Sequence, residues 1–209
     1  MDPVTETRRE RKERTRQAIL DAALELVEEQ SLASLSLRAV TRQVGIVPTA
    51  FYRHFTSIDE LGLALVDRSF ATLREMIRDV RRGNPELAGV IRSSVAILVE
   101  HVHAHRADFR FIGRERFGGV PVVRDAIRHE LELFERELAT DLARLPHLDT
   151  WTSEDLRVMA NLVVNAMVST AEGIISARPE RPEAERDVVR TAEKQLRMIV
   201  VGAAHWRSG

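Results

Sequence analysis

The sequence predicts an all-α protein of about nine helices, and three observations lead there. Gly and Pro are few, 10 and 7 in 209 residues, and they cluster between long intervening stretches. Inside those stretches apolar residues recur every three or four positions, the period of a helix with one buried face. No stretch alternates with period two for long enough to make a strand. With 44% hydrophobic residues the chain is long enough to bury a proper core.

Ile19, Ala22, Ala23, Leu26 and Val27 give the first helix, roughly residues 10–29, its apolar face. Residues 34–55 form a compact segment interrupted only by Gly45 and Pro48. Ser57 and Glu60 then make an S-x-x-E capping box that opens a long helix. Its stripe of Val66, Phe70, Leu73, Ile77 and Val80 ends at Gly83-Asn84-Pro85. Asn84 as N-cap and Pro85 at the first helical position restart the chain. Leu87, Ile91, Val95, Leu98 and Val102 carry the next helix, and a short segment spans 109–117 before Gly118-Gly119. Val123, Ile127, Leu131, Phe134, Leu138 and Leu142 mark another long helix. After the loop around Pro146, Thr152-x-x-Asp155 caps a helix that runs to about Ala177. The polar connector 178–182 leads to a last helix striped by Val189, Ala192, Leu196, Ile199 and Ala203.

Several function classes are unsupported. Without cysteine there is no disulfide scaffold, zinc ribbon or thiol nucleophile. The longest charge-free run, 158–171, has 14 residues and two Asn, too short to span a bilayer. The charged N-terminus has no apolar segment behind it, so a soluble cytoplasmic protein with no membrane partner is expected. No G-x-S-x-G, P-loop or G-x-G-x-x-G occurs, so neither an enzyme, a catalytic residue nor a cofactor is expected. Glu100 and His103 form a lone E-x-x-H beside His101 and His105. A di-iron bundle needs two such motifs, so these histidines read as a helix-end surface group and no metal is expected.

The net charge, 31 basic against 32 acidic residues, conceals its distribution. Arg8, Arg9, Arg11, Lys12, Arg14 and Arg16 face only Glu10 and Glu13 within nine residues. Residues 30–58 contain no Asp or Glu, while Arg38, Arg42, Arg53 and His54 lie inside. A surface that meets phosphates avoids carboxylates, because each would repel the backbone and oppose counterion release.

That acid-free stretch contains two short helices. Leu37, Val40 and Val44 face inward on the first, Gly45 ends it where a left-handed turn is least costly, and Ile46 plugs the angle. Pro48 opens the second, in which Phe51 and Phe55 share the inner face at i and i+4. Thr49, Ala50, Tyr52, Arg53 and His54 are left for a groove or its phosphates. Two short helices joined by a tight glycine turn form a helix-turn-helix, whose second helix enters the major groove. An ordinary αα-hairpin has the same spacing.

The phrase Phe51-Tyr52-Arg53-His54-Phe55, followed by Ser57 and Asp59-Glu60-Leu61, resembles the TetR family of bacterial transcription repressors. That family carries a Tyr-x-His-Phe signature, and the close match covers roughly residues 12–63. The resemblance implies phosphate contacts at Tyr52 and His54, groove-facing residues at Thr49 and Ala50, and backbone-proximal residues at Arg38 and Thr41. With Arg11, Arg14, Ser36 and Arg53 these make the expected DNA-binding set. Val47 stands where the family commonly has Ser, and Ile58 where it usually has Lys, so two polar groups are missing. The resemblance also implies a helix-turn-helix domain at 1–56 and a ligand-binding and dimerisation domain at 57–209.

Matches outside the motif, among them Phe109-Arg110, Arg114-Glu115-Arg116 and Gln195-Leu196-Arg197-Met198-Ile199, resemble a narrower subgroup. Its members repress unsaturated fatty-acid synthesis or desaturase genes and sense long-chain acyl thioesters. That implies a hydrophobic effector, such as an acyl-CoA, near Phe109, Arg110, Phe111, Arg114 and Phe117, with arginines at the carrier phosphates. A homodimer on a palindromic double-stranded DNA operator is implied as well. Small and apolar residues suit an interface at Met159, Val163, Met167, Ala192, Leu196, Ile199 and Ala203, although packing inside one protomer uses the same pattern. Two alternatives stay open: a repressor of an efflux or catabolic gene sensing another hydrophobic molecule, and a helical ligand-binding protein without DNA activity.

Overall fold

The computed structural model describes residues 7–82, 87–177 and 180–209. Among the described residues there are nine α-helices and one short 3-10 turn, with no strand. They are α1 (Arg8–Glu29), the turn Leu32–Ser34, α2 (Leu37–Val44), α3 (Pro48–Phe51), α4 (Ile58–Arg82) and α5 (Leu87–Ala104). Next come α6 (Arg106–Glu115), α7 (Pro121–Leu142), α8 (Ser153–Ser176) and α9 (Pro182–Ala203). The expected restart at Asn84 and Pro85, and Arg178 and Pro179 of the connector, lie outside the described residues.

Helix starts follow side-chain chemistry. α1 begins two residues earlier than its apolar stripe implies, because Thr7 and Glu10 form a capping box. The Glu10 N–H donates to Thr7 Oγ1 at 3.2 Å, and the Thr7 N–H donates to Glu10 Oε2 at 2.7 Å. The basic run is therefore the opening of a capped helix. At α4 the Glu60 N–H donates to Ser57 Oγ at 3.1 Å, but the returning carboxylate accepts from Thr56, at 2.6 Å from its N–H and 2.5 Å from its hydroxyl. The Asp155 N–H donates to Thr152 Oγ1 at 3.2 Å, as its spacing predicts.

One continuous core joins both halves of the chain. Ile19, Ala23 and Val27 of α1 pack with Phe51, Phe55, Leu61, Leu65 and Phe70, and on to Phe111, Val123 and Ile127. α8 is long and apolar enough by composition to cross a membrane, yet it packs against α5, α6, α7 and α9.

The stripe expected at a dimer interface is largely used within the protomer. Met159 packs with Leu142, Leu148 and Ala160, while Ala192 and Leu196 pack with Val95, and all three are buried. Val163, Met167, Ile199 and Ala203 are half-buried against these same clusters. Small and apolar residues suit any close helix pair, so their pattern does not say which helix arrives. The large apolar side chains that α8 and α9 leave in the open are Val158, Leu162, Met198 and Val201.

Candidate nucleic-acid interface and effector cavity

The motif folds as its spacing predicts. Ser36 Oγ accepts from the Ala39 N–H at 3.2 Å and starts α2. Gly45 ends it at φ 75°, ψ 31°, the left-handed region that favours glycine, and the Ile46 N–H closes on the Thr41 carbonyl at 3.0 Å. Val47 precedes α3 without capping it, where a serine hydroxyl would have served, and stands 63% exposed. α3 is a single turn, continued to Phe55 by bonds from the Arg53, His54 and Phe55 N–H groups to the carbonyls of Ala50 and Phe51. Phe51 and Phe55 are fully buried with ring centroids 5.7 Å apart, and they anchor this turn to the core. Thr49, Tyr52 and Arg53 are exposed, and Ala50 and His54 are half-buried.

α1 brings its basic residues to the same place. The Arg16 guanidinium lies over the Phe55 ring at 5.0 Å. His54 sits below the usual histidine pKa, chiefly through burial, then through the positive charges of Lys12 and Arg16, with Arg53 adding and Glu13 opposing. His54 Nδ1 is buried without a hydrogen-bond partner. The neutral ring is therefore best served by carrying its proton on Nε2. Lys12, Arg16 and Arg53 together make one positive cluster around the His54 ring at the end of the recognition turn.

Thr41 departs from the expected set. It is 4% exposed, and its hydroxyl donates back to the Leu37 carbonyl at 3.0 Å, so it faces the core instead of a DNA backbone. The signal lies in the sequence, since Thr41 follows inward-facing Leu37 by one turn. The exposed side chains of α2 are Arg38, Arg42 and Gln43, and the first two carry the charge there.

The second site is a partly open apolar cavity of about 220 Å³ lined by α4 to α8. That exceeds the ~150 Å³ that suffices for benzene in an engineered cavity. Its walls include Leu73, Met76 and Ile77 of α4, Phe109 and Ile112 of α6, and Phe134 of α7. The lining on α7 runs from Leu131 to Asp141, which at the helical rise is about 15 Å. Arg81 closes one end, paired with Asp141 at 2.8 Å and Glu137 at 3.4 Å.

Of the five residues expected around an effector, only Phe109 lines this cavity. Phe111 is core, and Phe117 is 77% exposed with the Arg116 guanidinium stacked on it at 4.5 Å. Arg110 pairs with Glu28 at 3.1 Å, and Arg114 donates to the carbonyls of Val27 and Gln30. Met167, which is expected at a dimer seam, also lines the cavity. Sequence periodicity marks the α4 stripe as apolar but does not show that its last turns face a space.

His101 and His105 stack at 5.9 Å, while His101 faces Asp79 at 3.2 Å and His103 faces Glu185 at 3.0 Å. Among the described residues no group of three His, Cys, Asp or Glu side chains is placed to hold a metal ion.

A helix-turn-helix with a clustered positive face, joined through one core to a helical domain with an apolar cavity, defines a ligand-responsive DNA-binding regulator. Residues 19–65 match the family model described as bacterial regulatory proteins, tetR family, and residues 87–202 match the tetracyclin repressor-like C-terminal domain. The second match alone spans more than half of the chain, which therefore belongs to the TetR family of transcriptional regulators, DNA-binding proteins without enzymatic activity.

Solved structures agree in fold. A TetR-like regulator from Rhodococcus sp. RHA1 is similar at TM-score 0.66 and 18% identity, over 90% of this chain and 96% of that one. A TetR-family regulator from Streptomyces coelicolor matches at TM-score 0.67 and 20% identity, over 88% and 95%. The fatty acid degradation regulator FadR from Bacillus halodurans matches at TM-score 0.67 and 11% identity, over 88% and 94%. At these identities the likeness is one of fold.

Proposed function

We propose that this regulator is a repressor that binds a palindromic operator as a homodimer and responds to a hydrophobic molecule held in the α4–α8 cavity. The observation that carries the reading is the pairing of the Lys12–Arg16–Arg53–His54 cluster with an apolar cavity in the same chain. Residues 1–56 act on DNA, through Arg11, Arg14, Ser36, Arg38, Thr49, Ala50, Tyr52, Arg53 and His54, and residues 57–209 bind effector and partner. Val158 and Leu162 of α8, with Met198 and Val201 of α9, supply the apolar face for the second protomer.

In the narrower form of this reading the effector is a long-chain acyl thioester that reports on fatty-acid synthesis. The apolar lining supports the acyl part. Arg110 and Arg114, and Arg116 paired with Glu172 at 2.8 Å, are engaged within the protein, so a carrier's phosphates stay outside the cavity. Occupancy tilts α4, which begins beside the recognition turn, and resets the spacing of the two recognition helices. Such coupling is typically about 1–3 kcal/mol.

The test is titration of selected palindromic duplexes across a salt series, with and without a long-chain acyl-CoA. A repressor shows a slope near −0.9 per neutralised phosphate. A flat response overturns the DNA reading, whereas a steep slope that acyl-CoA leaves unchanged removes only the acyl thioester.

His54 adds a pH signature. Phosphate beside the ring reverses the field of Lys12 and Arg16, so the pKa rises on binding and the complex takes up protons. Operator affinity should then rise as pH falls through the histidine range, by up to about tenfold per ring where binding lifts its pKa by about 1. Stability of the free protein moves the other way. The unfolded chain binds this proton more readily, so stability falls as pH drops through the ordinary histidine range. Anisotropy titrations of His54→Gln should lose the pH dependence of affinity; a dependence that persists assigns it to another group.

A further inference from the structure

α6 turns three faces to three parts of the molecule. Phe109, Ile112 and Gly113 line the cavity. Phe111 and Glu115, one turn apart, are each 1% exposed. Arg110 and Arg114, also one turn apart, reach the C-terminal end of α1.

The last carbonyls of a helix have no partner inside it, and the negative end of its dipole favours a cation. α1 has no basic residue in its own last turn. Arg114 supplies one, with Nη1 donating to Val27 O at 2.9 Å and Gln30 O at 2.8 Å, while Arg110 pairs with Glu28. Two residues on, the buried Leu32 N–H donates to Glu115 Oε1 at 2.9 Å. Glu115 Oε2 is buried without a hydrogen-bond partner. Gly118 closes over it so tightly that a Cβ there would lie 2.1 Å away. Leu32 itself is fully buried and opens the 3-10 turn that leads into α2.

We propose that Arg114 and Glu115 are positioning residues for DNA binding. Together they fix the α1–α2 junction, and with it the pose of the recognition turn, to a helix whose opposite face is a cavity wall. Cavity occupancy is then read at the junction directly, beside any tilt of α4. The unpartnered Glu115 oxygen makes this contact poised, because a buried polar atom left unsatisfied is unfavourable and a small shift of α6 releases it. The consequence for operator binding rests on the DNA reading above. The contact itself does not.

The experiment uses the full chain and reads amide hydrogen exchange at Leu32 together with operator affinity. Arg114→Met removes the donors and keeps the stem; Arg114→Lys keeps a donor; Arg128→Gln on the exposed face of α7 is the control. Ser94→Leu fills the cavity without any added ligand. Leu32 should exchange at least about tenfold faster in Arg114→Met, less so in Arg114→Lys, and as in the parent for Arg128→Gln. Operator affinity should fall in the same order.

Ser94→Leu should change Leu32 exchange by about threefold or more in the parent background and leave it unchanged in the Arg114→Met background. Loss of that response in a chain that still melts cooperatively distinguishes positioning from mere support. Leu32 exchange within about twofold of the parent in Arg114→Met, or a Ser94→Leu response that survives there, overturns the proposal. If Arg114→Met does not fold, Arg114→Lys decides by the same two readings. A parent protein that binds no duplex overturns the DNA reading alone, since the exchange measurements need no DNA.

Discussion

Phe51→Ala should cost about 3–5 kcal/mol and abolish operator binding. The recognition helix is one turn, Pro48–Phe51, too short to persist by itself. What holds it is the buried Phe51 ring, tilted against Phe55 and met edge-on by Tyr52 at 5.7 Å. Deleting the ring opens a cavity in the continuous core that also contains Ile19, Val27 and Leu65 of α1 and α4. In a chain of this size the loss corresponds to a fall in melting temperature of about 6–20 °C. Phe51→Leu, which refills most of the volume, should fall by much less. Thermal denaturation followed by circular dichroism checks both. A Phe51→Ala protein that melts as the parent does would place the anchor of the recognition turn elsewhere.

The second large effect is electrostatic and leaves the fold alone. Lys12 and Arg53 are exposed and lie close enough to His54 to lower its pKa. On the proposed operator-bound dimer, where each protomer sets both side chains against phosphate, replacing them by Gln should remove four contacts. The salt slope should fall by about 3.6, and affinity near 0.1 M salt should drop on the order of a thousandfold. The loss should be equal for selected and random duplexes, because phosphate contacts carry no base sequence. A slope that stays as steep as in the parent would remove these two side chains from the interface.

The parts of this molecule legible in its sequence are the local ones. Gly45, Pro48 and the Phe51–Phe55 pair specify the motif through backbone conformation and a one-turn repeat, so a single sequence suffices. The clearing of Asp and Glu from residues 30–58 is likewise a property of adjacent positions. Partners distant in sequence are not legible. Arg110 and Arg114 look like free cations in the sequence, and their partners lie more than 80 residues away at the end of α1. The α8 and α9 stripes meet each other and α5 before they can meet a second copy, since a small-residue face packs with whichever helix the topology delivers. The cavity leaves no mark in the sequence because its walls come from five helices, each of which shows only an apolar face.

The junction after α1 has no room to spare. A side chain on Gly62 would begin 2.6 Å from Leu32 Cδ2 and 2.8 Å from Val123 Cγ2, while Leu32 is tied by its N–H to Glu115 and Glu115 is roofed by Gly118. Four positions from three separate stretches of the chain therefore share one small volume and one hydrogen bond. Over descent they drift as a set: a larger residue at 62 must be answered by a smaller one at 32 or 123. A shorter side chain at 115 frees 118 from being glycine. Covariation among 32, 62, 115 and 118 is the trace this geometry should leave in related sequences, and it would run between the DNA-binding and effector-binding halves.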